Sequence, residues 1–176
     1  MSILRFLRLD PSITGAGAKE TDTIRKITRQ LDALDPERAK YIAAFAFILS
    51  RVARADLNIS PEETLAMERI VSLLGHLSEE QAVIVVQIAK SQNILFGSTE
   101  NFIVTREFDA IATHEQKLEL LECLFAVSAA DESISTVEDN EISQIAHELR
   151  IEHPDFIRIR STFREHLAVL KKDARQ

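Results

Sequence analysis

Glycine and proline are scarce, at four of each in 176 residues. With β-branched residues scattered rather than clustered, that scarcity argues against a strand-rich fold and for an all-α protein. One cysteine, Cys123, excludes a disulfide framework within the chain. Its neighbours Leu121 and Leu124 make it read as a small buried hydrophobe rather than a reactive thiol. No apolar run reaches the roughly 18 residues of a membrane span, and no signal peptide opens the chain. A cytoplasmic protein is expected. Catalytic signatures are missing too: there is no G-x-S-x-G, no phosphate-binding loop, no glycine-rich dinucleotide turn and no Cys/His nucleophile pattern. The histidines (His76, His114, His147, His153 and His166) show no paired metal spacing such as HExxH, which disfavours structural zinc. No enzyme is expected.

Charge is uneven. The chain totals −7, but residues 1–55 carry +4, residues 56–152 carry −14 and residues 153–176 carry +3. The acidic middle should attract cations and repel a nucleic-acid backbone. Nucleic acid is therefore excluded as a partner, although most of these carboxylates read simply as solvated surface.

What the chain does have is a duplication. Ala55–Glu63 reads A-D-L-N-I-S-P-E-E, and Ala130–Glu138 reads A-D-E-S-I-S-T-V-E. At a constant offset of 75, Phe45–Leu74 and Leu120–Leu149 share nine identities, among them Asp56/Asp131, Ile59/Ile134, Ser60/Ser135 and Glu63/Glu138. Each copy has an apolar helix ending at Ala-Asp, a turn that delivers one Ile, and Ser-x-x-Glu opening the next helix. The reading is two helix–turn–helix units, about 36–75 and 113–150, in a compact all-α bundle of about 7–8 helices with an internal pseudo-two-fold repeat.

Residues 1–20 form an N-terminal arm expected to be flexible, and 21–176 the helical domain. The start, M-S-I-L-R-F-L-R-L, offers at most peripheral membrane contact through residues 1–9. Ile24, Ile27, Leu31 and Leu34 predict a first helix, ended by Asp35-Pro36, which caps the second. The third runs from Ser60 to about Leu74, with Gly75 as its C′ residue. Ser60, Ser78, Thr113 and Ser135 each begin a capping box. The V-I-V-V run after Ser78 looks like strand by propensity, but cap and context make it helix. Residues 93–99 read as a loop, and 100–112 as a helix with Phe102, Ile103 and Phe108 inward. A last helix from His153 is expected to place Phe156, Ile159, Phe163, Leu167 and Leu170 on one side, with Lys171, Lys172 and Arg175 suiting its C-terminal dipole.

The candidate site is acidic: Asp56, Glu62 and Glu63 at one turn, Asp131 and Glu138 at the other, with Asp139 and Glu141 nearby. An Asp at a turn and a Glu on the following first helical turn can converge on a hard cation, Ca²⁺ or Mg²⁺. The other reading gives Glu63 and Glu138 to capping and Asp56 and Asp131 to turn N–H groups. Neither loop is an EF-hand, because the Gly position holds Pro61 or Thr136 and the final Glu position holds Met67 or Ile142. Capping glutamates are also poor general acids, since their hydrogen bonds favour the ionised form.

At these turns the sequence resembles the bacterial tellurite-resistance TerB family and its TerB-like relatives, in the pattern "apolar helix, Ala-Asp-Gly-x-Ile, small polar cap, x-x-Glu". The likeness rests on 55–63 with L-L-G-H-L-S-E-E-Q at 73–81, and on 130–141 with I-A-H-E-L-R-I at 145–151, and it spans roughly Asp35 to Phe163. It implies an all-α domain without enzymatic activity, with divalent-cation ligands at Asp56, Glu63, Asp131 and Glu138. It also implies protein partners, relatives fused to J-domain co-chaperones, and stress-response systems near the membrane. The family's Gly after each Asp is here Leu57 and Glu132. Gly reaches positive φ at little cost, so the resemblance allows for turns wound differently or held less tightly. Metal-independent protein–protein interaction is the alternative function.

Overall fold

The centre of the molecule is a helix with almost no polar face. In a computed structural model describing residues 18–53, 61–91, 101–130 and 132–173, Pro36–Val52 buries every residue from Tyr41 to Val52. A helix that is apolar all round has to be enclosed by others. Among the described residues nine helices form: α1 Ala18–Asp32, α2 Pro36–Val52, α3 Pro61–Leu74, α4 Glu79–Ser91, α5 Asn101–Ile111, α6 His114–Ala129, α7 Thr136–Glu148, α8 His153–Thr162 and α9 Ala168–Asp173. α2 packs against α4, α5, α6 and α7, while α3 lies on α4 and α6, and α8 on α6. Each fully buried Ile or Phe of α2 contributes about 1.5–3 kcal/mol. Tyr41, Phe45 and Phe108 form an aromatic group with ring centroids 5.2–6.3 Å apart. No helix among the described residues is long and apolar enough to cross a membrane. The expected loop at 93–99, the first acidic turn at 54–60 and the N-terminal arm through residue 17 lie outside the described residues, as do the side chains of Ile24, Phe102, Lys171 and Lys172.

Local chemistry sets the helix starts. Asp35 accepts from the N–H groups of Glu37 and Arg38 at 3.0 and 3.4 Å, with Pro36 in the first turn. Thr113 and Gln116 form a complete capping box at 3.2 and 2.8 Å. At Ser78 the hydroxyl accepts from Gln81 N–H at 3.3 Å, but Gln81 Oε1 accepts from Arg38 Nη2 at 2.6 Å. The glutamine that would close that box ties α4 to α2 instead. The V-I-V-V run is helix, with Ile84, Val85 and Val86 all buried.

Three expectations need correction. Gly75 is not the left-handed residue after α3: His76 is, with φ 48°. The N–H of Leu77 reaches back to Ser72 O, a Schellman ending shifted one residue on. Glycine at 75 answers to space, because a Cβ there would stand 2.6 Å from Val71 O and 3.1 Å from Phe45 Cζ. Gly75→Ala should therefore destabilise the fold by about 1–3 kcal/mol, read as a lower Tm. An unchanged Tm would mean that the α3 terminus shifts freely.

On α5 the inward residues are Val104, Thr105 and Phe108, while Ile103 is 48% exposed. Thr105 can be buried because its hydroxyl accepts from Arg51 at 2.7 Å. The last predicted helix is two. Phe163–His166 turns, Leu167 pairs with Ile134 in an isolated bridge, and α9 then begins, leaving Leu170 41% exposed. Ile134 N–H donates to His166 O at 2.7 Å and Ala168 N–H to Ile134 O at 2.9 Å. These bonds to a distant turn replace the helical bonds that the apolar spacing alone suggested.

Candidate functional site

The second acidic corner is built between α6 and α7. α6 ends at Ala129, Glu132 stands at φ 64°, Ile134 is fully buried and Ser135 caps α7. Ser135 Oγ accepts from Glu138 N–H at 3.2 Å, and Glu138 Oε2 accepts from Ser135 N–H at 2.8 Å. Ile134, just before the cap, fills the core as a residue at that place is expected to. The position after Asp131 does need a left-handed residue. Among the described residues the other non-glycine residues with positive φ are His76 and Arg150; like Arg150, whose N–H reaches back to His147 O at 3.1 Å, Glu132 follows a helix end, with its N–H on Ala129 O at 3.0 Å.

The carboxylates around this corner face arginines from elsewhere in the chain. Asp139 accepts from Arg160 Nε and Nη2 at 2.8 and 2.6 Å, a bidentate pair between α7 and α8. Hydrogen bonding to Asp139, which outweighs partial burial, raises the Arg160 pKa further. Glu141 accepts from Arg51 Nε at 2.8 Å. Arg51 also donates from Nη1 to Glu148 Oε2 at 2.6 Å and to Thr105 Oγ1 at 2.7 Å, and from Nη2 to Glu148 Oε1 at 3.3 Å. Its side chain is 2% exposed. Burial works to raise the Glu148 pKa, but the hydrogen bonds and charge of Arg51, helped by Gln144 and Thr105, hold it below its ordinary value.

Sequence reasoning missed this network of Arg51, Thr105, Glu141 and Glu148. The available signal was an arginine one residue before the helix end, just after the apolar run Tyr41–Leu49. Such a group is buried only with charged partners.

At the first corner Glu62 and Glu63 are exposed in the opening turn of α3, and Lys90 donates to the neighbouring Thr64 hydroxyl at 2.8 Å. Asp56, with Ser60 and its capping box, and Asp131 lie outside the described residues. Among the described residues, which include neither Asp56 nor Asp131, no group of three or more His, Cys, Asp or Glu side chains could hold a metal ion. Cys123 is buried, and desolvation pushes its thiol pKa far up, which leaves it unreactive.

The family model described as "Tellurite resistance protein TerB" matches residues 42–161. The chain belongs to the TerB family. Neither a curated protein nor a solved structure matches it. The TerB match begins inside α2 and ends inside α8, so it contains both acidic corners and the whole Arg51 network. The bridge partner Leu167 and helices α1 and α9 lie beyond it. In this TerB chain Glu132 takes the left-handed backbone that a glycine would adopt at less strain. Glu132→Gly should therefore raise stability by about 0.5–1 kcal/mol, the left-handed penalty less glycine's entropy. A Tm that falls on this substitution would show that the Glu132 side chain matters more than its backbone strain.

Proposed function

We infer that this TerB-family chain is a non-enzymatic, cytoplasmic helical protein that binds a divalent cation, Ca²⁺ or Mg²⁺, at its acidic inter-helix turns. It acts through protein partners in a stress response of the tellurite-resistance type. The ligands are Asp56, Glu62 and Glu63 at one corner and Asp131 and Glu138 at the other. The observation that carries the reading is Glu132 at φ 64°, in the turn next to Asp131. Non-glycine residues held in such a conformation concentrate at functional turns. The capping bond of Glu138 is compatible with this role, because a carboxylate accepts several bonds at once. An acidic corner suits a cation rather than a tellurium oxyanion.

The test is calorimetric titration of Ca²⁺ and Mg²⁺, with Mn²⁺ and Zn²⁺ for comparison, into wild type and an Asp56→Asn/Asp131→Asn double variant. Saturable binding and a higher Tm are expected for wild type, and a loss of at least about tenfold in affinity for the variant. No binding of any ion to wild type would end the cation reading.

The Asp139–Arg160 and Glu141–Arg51 pairs favour a second reading, because they leave fewer carboxylates near the second corner for a metal. On that reading the chain is a metal-independent interaction module whose acidic face docks a basic partner. Its binding would weaken steeply with salt and ignore chelators.

A further inference from the structure

A cavity of about 570 Å³ opens where α5, the end of α7 and the start of α8 meet. That volume suits a small organic ligand. Two arginines line it from different elements, Arg106 on α5 and Arg150 just past α7, together with His147 and His153. Arg150 stands at φ 56° and its side chain is 79% exposed. Its contact with Asp109 is long, 3.5 Å, and Asp109 already holds Lys117 at 2.6 Å. Of the two carboxylates in the lining, Glu148 is committed to Arg51. Glu152 makes no capping bond to α8. Ile151 adds an apolar surface.

We propose that this cavity binds a phosphorylated polyol of sugar-phosphate size, its phosphate between Arg106 and Arg150 and a hydroxyl donating to Glu152. Guanidinium forks match phosphate oxygens in shape as well as charge. The histidines supply further hydrogen bonds, and the carbon skeleton lies over Ile151. The proposal does not depend on cation binding at the acidic corners.

The experiment titrates glucose 6-phosphate, inorganic phosphate and glucose into the full chain, followed by amide chemical shifts and calorimetry. Glucose 6-phosphate should saturate and bind about tenfold tighter than inorganic phosphate, with glucose silent. Arg106→Gln and Arg150→Gln should each weaken it about tenfold, while Arg69→Gln on distant α3 changes nothing. Glu152→Gln should narrow the preference for the sugar over bare phosphate, a change that general loss of fold would not produce. The proposal is overturned if nothing saturates by about 10 mM, if Arg69→Gln weakens binding equally, or if inorganic phosphate binds as well as glucose 6-phosphate.

Discussion

Arg51→Met is expected to lower stability by about 3–5 kcal/mol, because it leaves Glu148 and Glu141 without the cation that offsets their burial. For a chain of this size the loss in Tm is on the order of 10 °C. The Glu148 side chain is 9% exposed, whereas Glu141, at 29%, is partly open to water. The two arms of the effect separate by pH. A carboxyl whose folded pKa is depressed stabilises above its unfolded value and loses that contribution as pH falls through the folded one. Glu148 is held below 4.5, so the gap between wild type and Arg51→Met should be full at neutral pH and narrow below that value. An Arg51→Met/Glu148→Leu double variant should recover more than either charge left alone, since apolar pairs replace buried ion pairs at little loss. Thermal melts at neutral and acid pH check all three. A single-variant loss under about 1 kcal/mol, or a gap that does not close in acid, would show that Arg51 is not the network's centre.

The same network changes the meaning of the charge pattern. Arg51 comes from the basic first segment and Arg160 from the basic last one, and both partner carboxylates of the −14 middle. Segregated charge along the chain becomes paired charge in the fold. Glu141, Glu148 and Asp139 therefore contribute less to an outward field than their number suggests. Glu62, at the first corner, is exposed in the opening turn of α3.

Helix identity and helix starts were legible because their causes are local. Asp35-Pro36, Thr113-x-x-Gln116 and Ser135-x-x-Glu138 each announce a boundary within four residues, and the apolar run of α2 announces a central helix. The family pattern and the place of the turn before Ser135 were legible for the same reason. The Arg51 pairs were not, since they join residues 90 and 97 positions apart. Gly75 illustrates the middle case. Its place after a helix was readable, but its reason, the closeness of Val71 O and then of the Phe45 ring, needs the fold. Ile103 was put inside α5 by its hydrophobicity, yet the buried face was set by Thr105 reaching Arg51.

The break between α8 and α9 was the least readable feature, and it leads to the second large expected effect. Ile134→Ala should cost about 2–5 kcal/mol through lost contacts and the cavity left behind. Its side chain is fully buried, and its own N–H and C=O hold His166 and Ala168. Truncation should therefore loosen a segment some thirty residues away in sequence as well as the core. In amide exchange, protection at Ile134 and Ala168 should fall more than at Gln116, whose N–H is held by the remote Thr113 cap. A uniform fall at all three would make Ile134 ordinary core filling. Loss concentrated at Ile134 and Ala168 would make it the peg that fixes the second acidic corner against the end of the bundle. In that case Arg160→Gln, which cuts the neighbouring tie to Asp139, should add to the loosening beyond the sum of the two single changes, because both ties restrain one segment.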